Sequence, residues 1–241
     1  MRQVTKGLLA PVVLASVFTF SCTDDEEPII AQEGVEKANL VFTEIEGDDH
    51  LSAHGDHFHG LDEGTEGESF VVEFDADGHA VSGGHLHLHA DGIYKMELQA
   101  WDYEGNRVEE DFIKDKATAD LYKAFLVGGD LVLNPDTEDE TGAIFQPREK
   151  EYADGTAVDG KYETTGVLSY FTIGEANEGE TKAVDFVLRK FNDAATKSLV
   201  ERVDWNAEDY AERFAGEDVL TLEFEIHAEH EEGHEEEGHD H

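Results

Sequence analysis

From Gly83 to Ala90 the chain reads Gly-Gly-His-Leu-His-Leu-His-Ala, a strict alternation of imidazole and aliphatic side chains. In an extended strand successive side chains point to opposite faces. The alternation therefore predicts a strand with His85, His87 and His89 on one face and Leu86 and Leu88 on the other. Residues two apart on such a face stand roughly 6.8 Å from each other, within reach of a shared ion. Neutral imidazole is the commonest metal ligand among side chains and suits zinc, copper and nickel. One outward histidine would mean only a solvated position. Three on one face predict ligation.

All thirteen histidines fall into three groups: His50, His54, His57 and His59; His79, His85, His87 and His89; and His227, His230, His234, His239 and His241. None lies between Ala90 and Ile226. The groups sit among Asp, Glu and Gly, a metal-binding composition. The candidate ligands are His57, His59, His85, His87 and His89, with His50, His54 and His79 as further donors. Zn(II) is the first expectation, with Ni(II) and Cu(II) behind it. The absence of Cys and Met from the groups disfavours Cu(I). The expected site joins the two N-terminal groups: the strand supplies a preorganised half, and a loop over residues 47 to 67 carries His57 and His59 onto the ion.

Charge points the same way. Lys and Arg number 17 against 58 Asp and Glu, a formal net charge of −41. Such a polyanion repels nucleic acid and anionic lipid and attracts cations. Fourteen Phe and seven Tyr in 241 residues still provide for a substantial core, so the acidity belongs to surface, loops and tail.

The first residues read as an export signal. Arg2 and Lys6 precede an uncharged run from Gly7 to Phe20, shorter than the ~20 residues a membrane span needs but suited to a signal core. It ends in Thr19-Phe20-Ser21-Cys22, which resembles the lipobox of bacterial lipoproteins. That resemblance implies cleavage after residue 21 and lipidation of Cys22. Cys22 is the only cysteine, so no intramolecular disulfide can form. The acidic run Thr23 to Glu27 resembles the surface-export signal of some Gram-negative lipoproteins. It implies anchoring in the outer membrane, at its outer face, with lipid as the only membrane contact.

Beyond a tether over 22–36, residues 37–227 read as one β domain. Strands are expected at 37–45, 69–75, 85–89, 93–102, 121–133, 142–147, 166–173, 182–191 and 219–227, punctuated by Gly and Asp turns. Such regular short strands predict an all-β, antiparallel β-sandwich. Asp91-Gly92 suggests a hairpin pairing 85–89 with 93–102. Tyr94, Leu98, Ala100, Asp102, Gly105 and Asn106 resemble the pattern near the end of bacterial immunoglobulin-like envelope domains, which implies an immunoglobulin-like sandwich. One short helix is expected at Ala207 to Ala215, capped by Asn206 and stopped by Gly216. The stretch from Ala228 to His241 reads as a disordered, metal-collecting tail.

Enzyme motifs fit less well. Ser52-Ala53-His54-Gly55-Asp56-His57 has serine where metallo-β-lactamase-type hydrolases need their first histidine, and the cupin pattern lacks its glutamate. His57-Phe58-His59 with His85-Leu86-His87 resembles ligand segments of α-type carbonic anhydrases, which would imply a zinc hydro-lyase. As a class, the chain resembles acidic, histidine-rich outer-membrane lipoproteins found with metal-uptake receptors. That implies a non-enzymatic protein that captures or hands over a divalent metal, with an outer-membrane metal receptor as partner. A zinc enzyme and a structural, receptor-accessory domain with weak metal binding remain the alternatives.

Overall fold

The computed structural model describes residues 33–48, 50–160 and 163–230. The expected signal, Cys22, the acidic run and most of the expected tail lie outside them.

Twelve strands form in chain order: β1 (Val35–Glu46), β2 (Ser52–His54), β3 (His57–His59), β4 (Thr65–Phe74), β5 (Ala80–Ser82), β6 (His85–His89), β7 (Tyr94–Asp102), β8 (Tyr122–Gly128), β9 (Ile144–Pro147), β10 (Leu168–Thr172), β11 (Thr181–Phe191) and β12 (Gly216–Glu229). One sheet has the order β5-β4-β1-β7-β10-β9, a second β6-β12-β11-β8, and β2 and β3 pair as a small hairpin. The two large sheets face each other as an all-β sandwich. The strands alternate in burial, and their inward residues make the core: Leu40, Phe42, Val72 and Phe74 meet Leu86, Leu88, Leu222, Phe224 and Ile226. Phe224 packs across the sandwich against Phe42 and Phe74, at ring-centre distances of 5.9 and 6.1 Å, and Phe145 meets Phe186 at 6.5 Å. Packing of inward faces from two sheets is what holds such a layered fold.

β6 runs over the residues its alternation predicts, with Leu86 and Leu88 buried and the three histidines exposed. Its partner differs from expectation. β6 pairs in parallel with β12, with His85 opposite Glu225, His87 opposite His227 and His89 opposite Glu229. At Ala90–Ile93 the chain crosses to the other sheet, where β7 pairs antiparallel with β1 and β10. The Asp91-Gly92 turn is thus a crossover between layers, not a hairpin. The physical reason is that Leu86/Leu88 and Tyr94/Met96/Leu98 are all core-facing, and opposite sheets let both sets be buried at once. The Tyr94 hydroxyl ties the crossover by accepting the His89 backbone N–H at 2.9 Å.

Three further expectations change. The stretch 47–67 is not one open loop, because it holds β2, β3 and the start of β4. The helix expected at Ala207 to Ala215 shrinks to one turn, Tyr210–Arg213, after a 3-10 turn at Arg202–Asn206. Asn206 does not cap it, since its amide donates to the Leu126 and Gly128 carbonyls. Ala228, assigned to the tail, is fully buried in β12, which continues to Glu229.

The outer faces of the two sheets are treated differently along their width. A small second core of Val200, Tyr210 and Phe214 covers Phe125 and Val187 on the β8–β11 half of the four-stranded sheet. On the β6–β12 half the outward side chains are exposed or half-buried among the described residues. Near one sandwich edge lies a buried amine, Lys197, whose Nζ donates to the carbonyls of Ala119 at 2.6 Å and Glu163 at 3.0 Å. Burial, and then the neighbouring Lys123 charge, push its pKa down to about 7.

Candidate metal centres

On the β6–β12 half of the four-stranded sheet, β12 presents Glu223, Glu225, His227 and Glu229 outward, because Phe224, Ile226 and Ala228 point into the core. Beside them β6 presents His85, His87 and His89. Parallel pairing in register turns two alternating sequences into one surface of imidazoles and carboxylates. The rings of His85, His87 and His227 cluster with centre-to-centre distances of 5.0 Å (85–87), 5.3 Å (87–227) and 6.2 Å (85–227). A metal ~2.1 Å from a ring nitrogen lies roughly 3.2 Å from the ring centre, so two rings on tetrahedral bonds stand roughly 5 Å apart. Two of the three distances sit at that value, and the third needs a small side-chain movement.

Each ring of this triad is held through Nδ1. His85 Nδ1 lies 2.9 Å from Glu225 Oε2, His87 Nδ1 lies 2.5 Å from Glu229 Oε1, and His227 Nδ1 lies 3.1 Å from Thr181 Oγ1. A carboxylate on one ring nitrogen orients the ring and makes the other nitrogen a better ligand. On His85 and His87 this leaves Nε2 as the free donor, whereas His227 faces a hydroxyl that can donate or accept, so either of its nitrogens can serve. Asp185, on the adjacent β11, has its pKa raised, first by partial burial and then by the nearby Glu223 carboxylate. Two neighbouring carboxylates make the local potential negative, which favours a bound cation.

A second triad sits on the β2–β3 hairpin. His54 is directly opposite His57 across Gly55-Asp56, and His59 follows on the same face as His57. Ring centres are 5.7 Å (54–57), 5.6 Å (54–59) and 4.7 Å (57–59) apart. Phe58 points the other way and is buried against Leu61, Ile93 and Ile144. Ile144 flanks Phe145, which faces the main core, so the hairpin covers the outward side of the six-stranded sheet. His85, His87 and His227 lie on the outward side of the other sheet.

The expected single site is thus not assembled. The sandwich core separates His57 and His59 from His85 and His87, and no ring contact joins the two groups among the described residues. The same separation divides the four histidines of the carbonic-anhydrase-like comparison. His89 stands apart from both triads, its Nδ1 3.6 Å from Glu44. His79 lies on an exposed turn between Asp75 and Glu223, at 3.9 and 3.8 Å. His50 is exposed, and its backbone N–H bonds Asp48. His227 was not among the expected ligands. The Glu-Phe-Glu-Ile-His-Ala-Glu alternation (223 to 229) is the signal that places it on an outward strand face beside its glutamates.

Among the described residues, only Asp75, Asp77 and His79 already hold one donor atom each within 4.8 Å of the others. Asp75 spends Oδ1 on the Asp77 and His79 backbone N–H groups, so that cluster is a turn stabilised by its own side chain. In both triads the ring centres are close while the nitrogens are not yet aimed at one point. Rotation about Cβ–Cγ, a soft torsion, re-aims the nitrogens and leaves the ring centre nearly in place, and the exposed glutamate partners move with the rings to keep their Nδ1 contacts. No known protein family, curated protein or solved structure matches this chain.

Proposed function

We propose that this chain is a cell-envelope lipoprotein that binds a divalent transition metal, Zn(II) first among candidates, on the outward β6–β12 face. The observation that carries the reading is the trio His85, His87 and His227. Three imidazoles from strands far apart in sequence share one patch, each with Nδ1 hydrogen-bonded, two of them to carboxylates. A stable fold has no need of this trio, since Leu86, Leu88, Ile226 and Ala228 already anchor both strands from the other side. The surface is open, which suits an ion that is captured and passed on. Three imidazoles leave one tetrahedral position for water, a carboxylate such as Glu225 or Glu229, or a partner's ligand. Ni(II) and Cu(II) remain compatible with the same donors.

The envelope assignment rests on the sequence of the first 27 residues and makes lipid at Cys22 the membrane attachment. Transfer to an outer-membrane metal receptor is the partner this reading implies. The direct test replaces His85 and His87 together with Ala. The variant should keep its melting behaviour, since both rings are exposed, and lose the zinc ion held on this face. Undiminished zinc protection of His227 in that variant would remove the basis of the proposal.

A further inference from the structure

We propose that the β2–β3 hairpin is a second, self-contained transition-metal centre, with His54, His57 and His59 as its ligands. The inference shares with the proposed function the premise of a metal-binding chain. It uses none of the sheet-face residues and stands or falls separately.

The argument begins with how the hairpin is held. Phe58 is 2 % exposed and docks into its own apolar cluster. The Phe58 N–H donates to Gln146 Oε1 at 3.0 Å, and Asn134 Nδ2 donates to the Gly55 carbonyl at 2.9 Å. The turn between the strands is therefore fixed at its base and at its tip. With the backbone fixed, alternation forces His57 and His59 onto the face opposite Phe58, and cross-strand pairing brings His54 beside His57. Three ligands within six residues on a docked hairpin lose little chain entropy on converging.

Second-sphere groups are in place for two of the three. His54 Nδ1 lies 2.8 Å from Glu140 Oε1, and the same carboxylate accepts the Gly55 N–H at 3.3 Å. His57 Nδ1 lies 3.0 Å from Asp56 Oδ1, which Arg202 also contacts at 3.2 Å. The carboxylates come from different parts of the chain: Asp56 from the turn, Glu140 from the loop before β9. Both leave Nε2 as the free donor, as a carboxylate–histidine–metal arrangement requires. His59 has no such partner among the described residues and can turn either nitrogen to the ion.

The donor set defines the ligand. Neutral imidazoles without thiolate select a borderline divalent cation, zinc, nickel or copper(II), over calcium or magnesium, which take oxygen ligands. Among the described residues no fourth donor is aimed at the triad, so its remaining position takes water or a small anion. The chain then carries two three-histidine centres on opposite outer faces of one sandwich, each able to load without the other.

Zinc-dependent protection from diethylpyrocarbonate, mapped residue by residue on the full chain, tests this. At saturating Zn(II), modification of His54, His57 and His59 should slow by about 10-fold or more, as site occupancy dictates. The same protection should persist in His85→Ala/His87→Ala. In His54→Ala/His59→Ala, His57 should be modified equally with and without zinc, while His85, His87 and His227 stay protected. Unchanged modification of the hairpin histidines on adding zinc overturns the second centre. So does loss of their protection in His85→Ala/His87→Ala, because it would mean one shared site. Failure of the sheet-face reading looks different: protected hairpin histidines with unprotected His85, His87 and His227.

Discussion

Phe58→Ala separates the part of the fold that holds the hairpin from the part that holds the sandwich. Phe58 is 2 % exposed, and its buried neighbours are Leu61, Ile93 and Ile144, outside the main core. Truncating a buried Phe costs about 3–5 kcal/mol, and the lower end applies where the surroundings can close in. Leu51, Ala53 and Tyr170 are only half-buried around this cluster and can do so. The loss is taken mostly by local opening of β2–β3, because Phe42, Phe74, Phe186 and Phe224 form a core that Phe58 does not touch. At about 1.4 kcal/mol per tenfold, a loss of ~3 kcal/mol raises the hairpin's open population by roughly 100-fold. Amide hydrogen exchange reads this directly. The Phe58 N–H, bonded to Gln146, should exchange about 100-fold faster, while amides of β11 and β12 keep near wild-type protection. Equal acceleration across both sheets would refute the reasoning, since the hairpin would then be part of one cooperative unit. Unchanged exchange at Phe58 would refute it from the other side.

Four other outcomes follow from particular residues. Gly78→Ala should lower the urea midpoint by the equivalent of about 2 kcal/mol or more, because Gly78 has φ +82° and a Cβ there would stand 1.9 Å from the Thr221 carbonyl oxygen; a variant as stable as wild type would contradict the close approach of β5's leading turn to β12. Lys197 binds its proton less tightly folded, at about 7, than in an unfolded chain near 10.4, so between those values the unfolded state holds the extra proton and stability rises with pH. Urea melts from pH 7 to 9.5 should show that rise, by at most ~1.4 kcal/mol per pH unit from this group, and Lys197→Met should lessen it to the share left by Lys123, which burial holds down at about 8; the same slope in the variant counts against the assignment. Removing residues 231–241 should leave zinc protection of His85 and His87 intact, because β12 ends at Glu229, whereas a protein that loses it would place a ligand in the tail. Cys22→Ala should be exported yet recovered in the soluble fraction, and fractionation that finds it still in the membrane would dismiss the lipid anchor.

Much of the sandwich was legible because its strands are amphipathic at period two. Leu40 and Phe42, Leu86 and Leu88, Tyr94, Met96 and Leu98, and Leu222, Phe224 and Ile226 each mark an inward face that local alternation reveals. Pairing was not legible in the same way. Asp-Gly serves a tight hairpin and a crossover between sheets equally, so Asp91-Gly92 could not tell whether Leu86 and Tyr94 belonged to one sheet or two. The real partner of β6 lies about 140 positions away, and only the matching Glu225/His227/Glu229 alternation hints at it. The helix expected at Ala207 to Ala215 is shorter, Tyr210–Arg213, because Asn206, a good local cap, has its amide drawn to the carbonyls of Leu126 and Gly128 instead. The histidines were found in the sequence, but their grouping was not. Proximity along the chain joined His57 to His85, whereas the core between the sheets keeps them apart and supplies each with different neighbours.

The proposed sheet-face centre depends on His227 more than on any other residue, because parallel pairing of β6 with β12 is what brings it to His85 and His87. The decisive measurement is a zinc titration of full-length His227→Ala, read at the imidazole resonances of His85 and His87. Loss of one of three ligands should weaken binding there by about 100-fold or more, while the zinc response of His54, His57 and His59 stays at its wild-type midpoint. A His227→Ala chain whose His85 and His87 signals titrate at the wild-type zinc concentration would contradict the account.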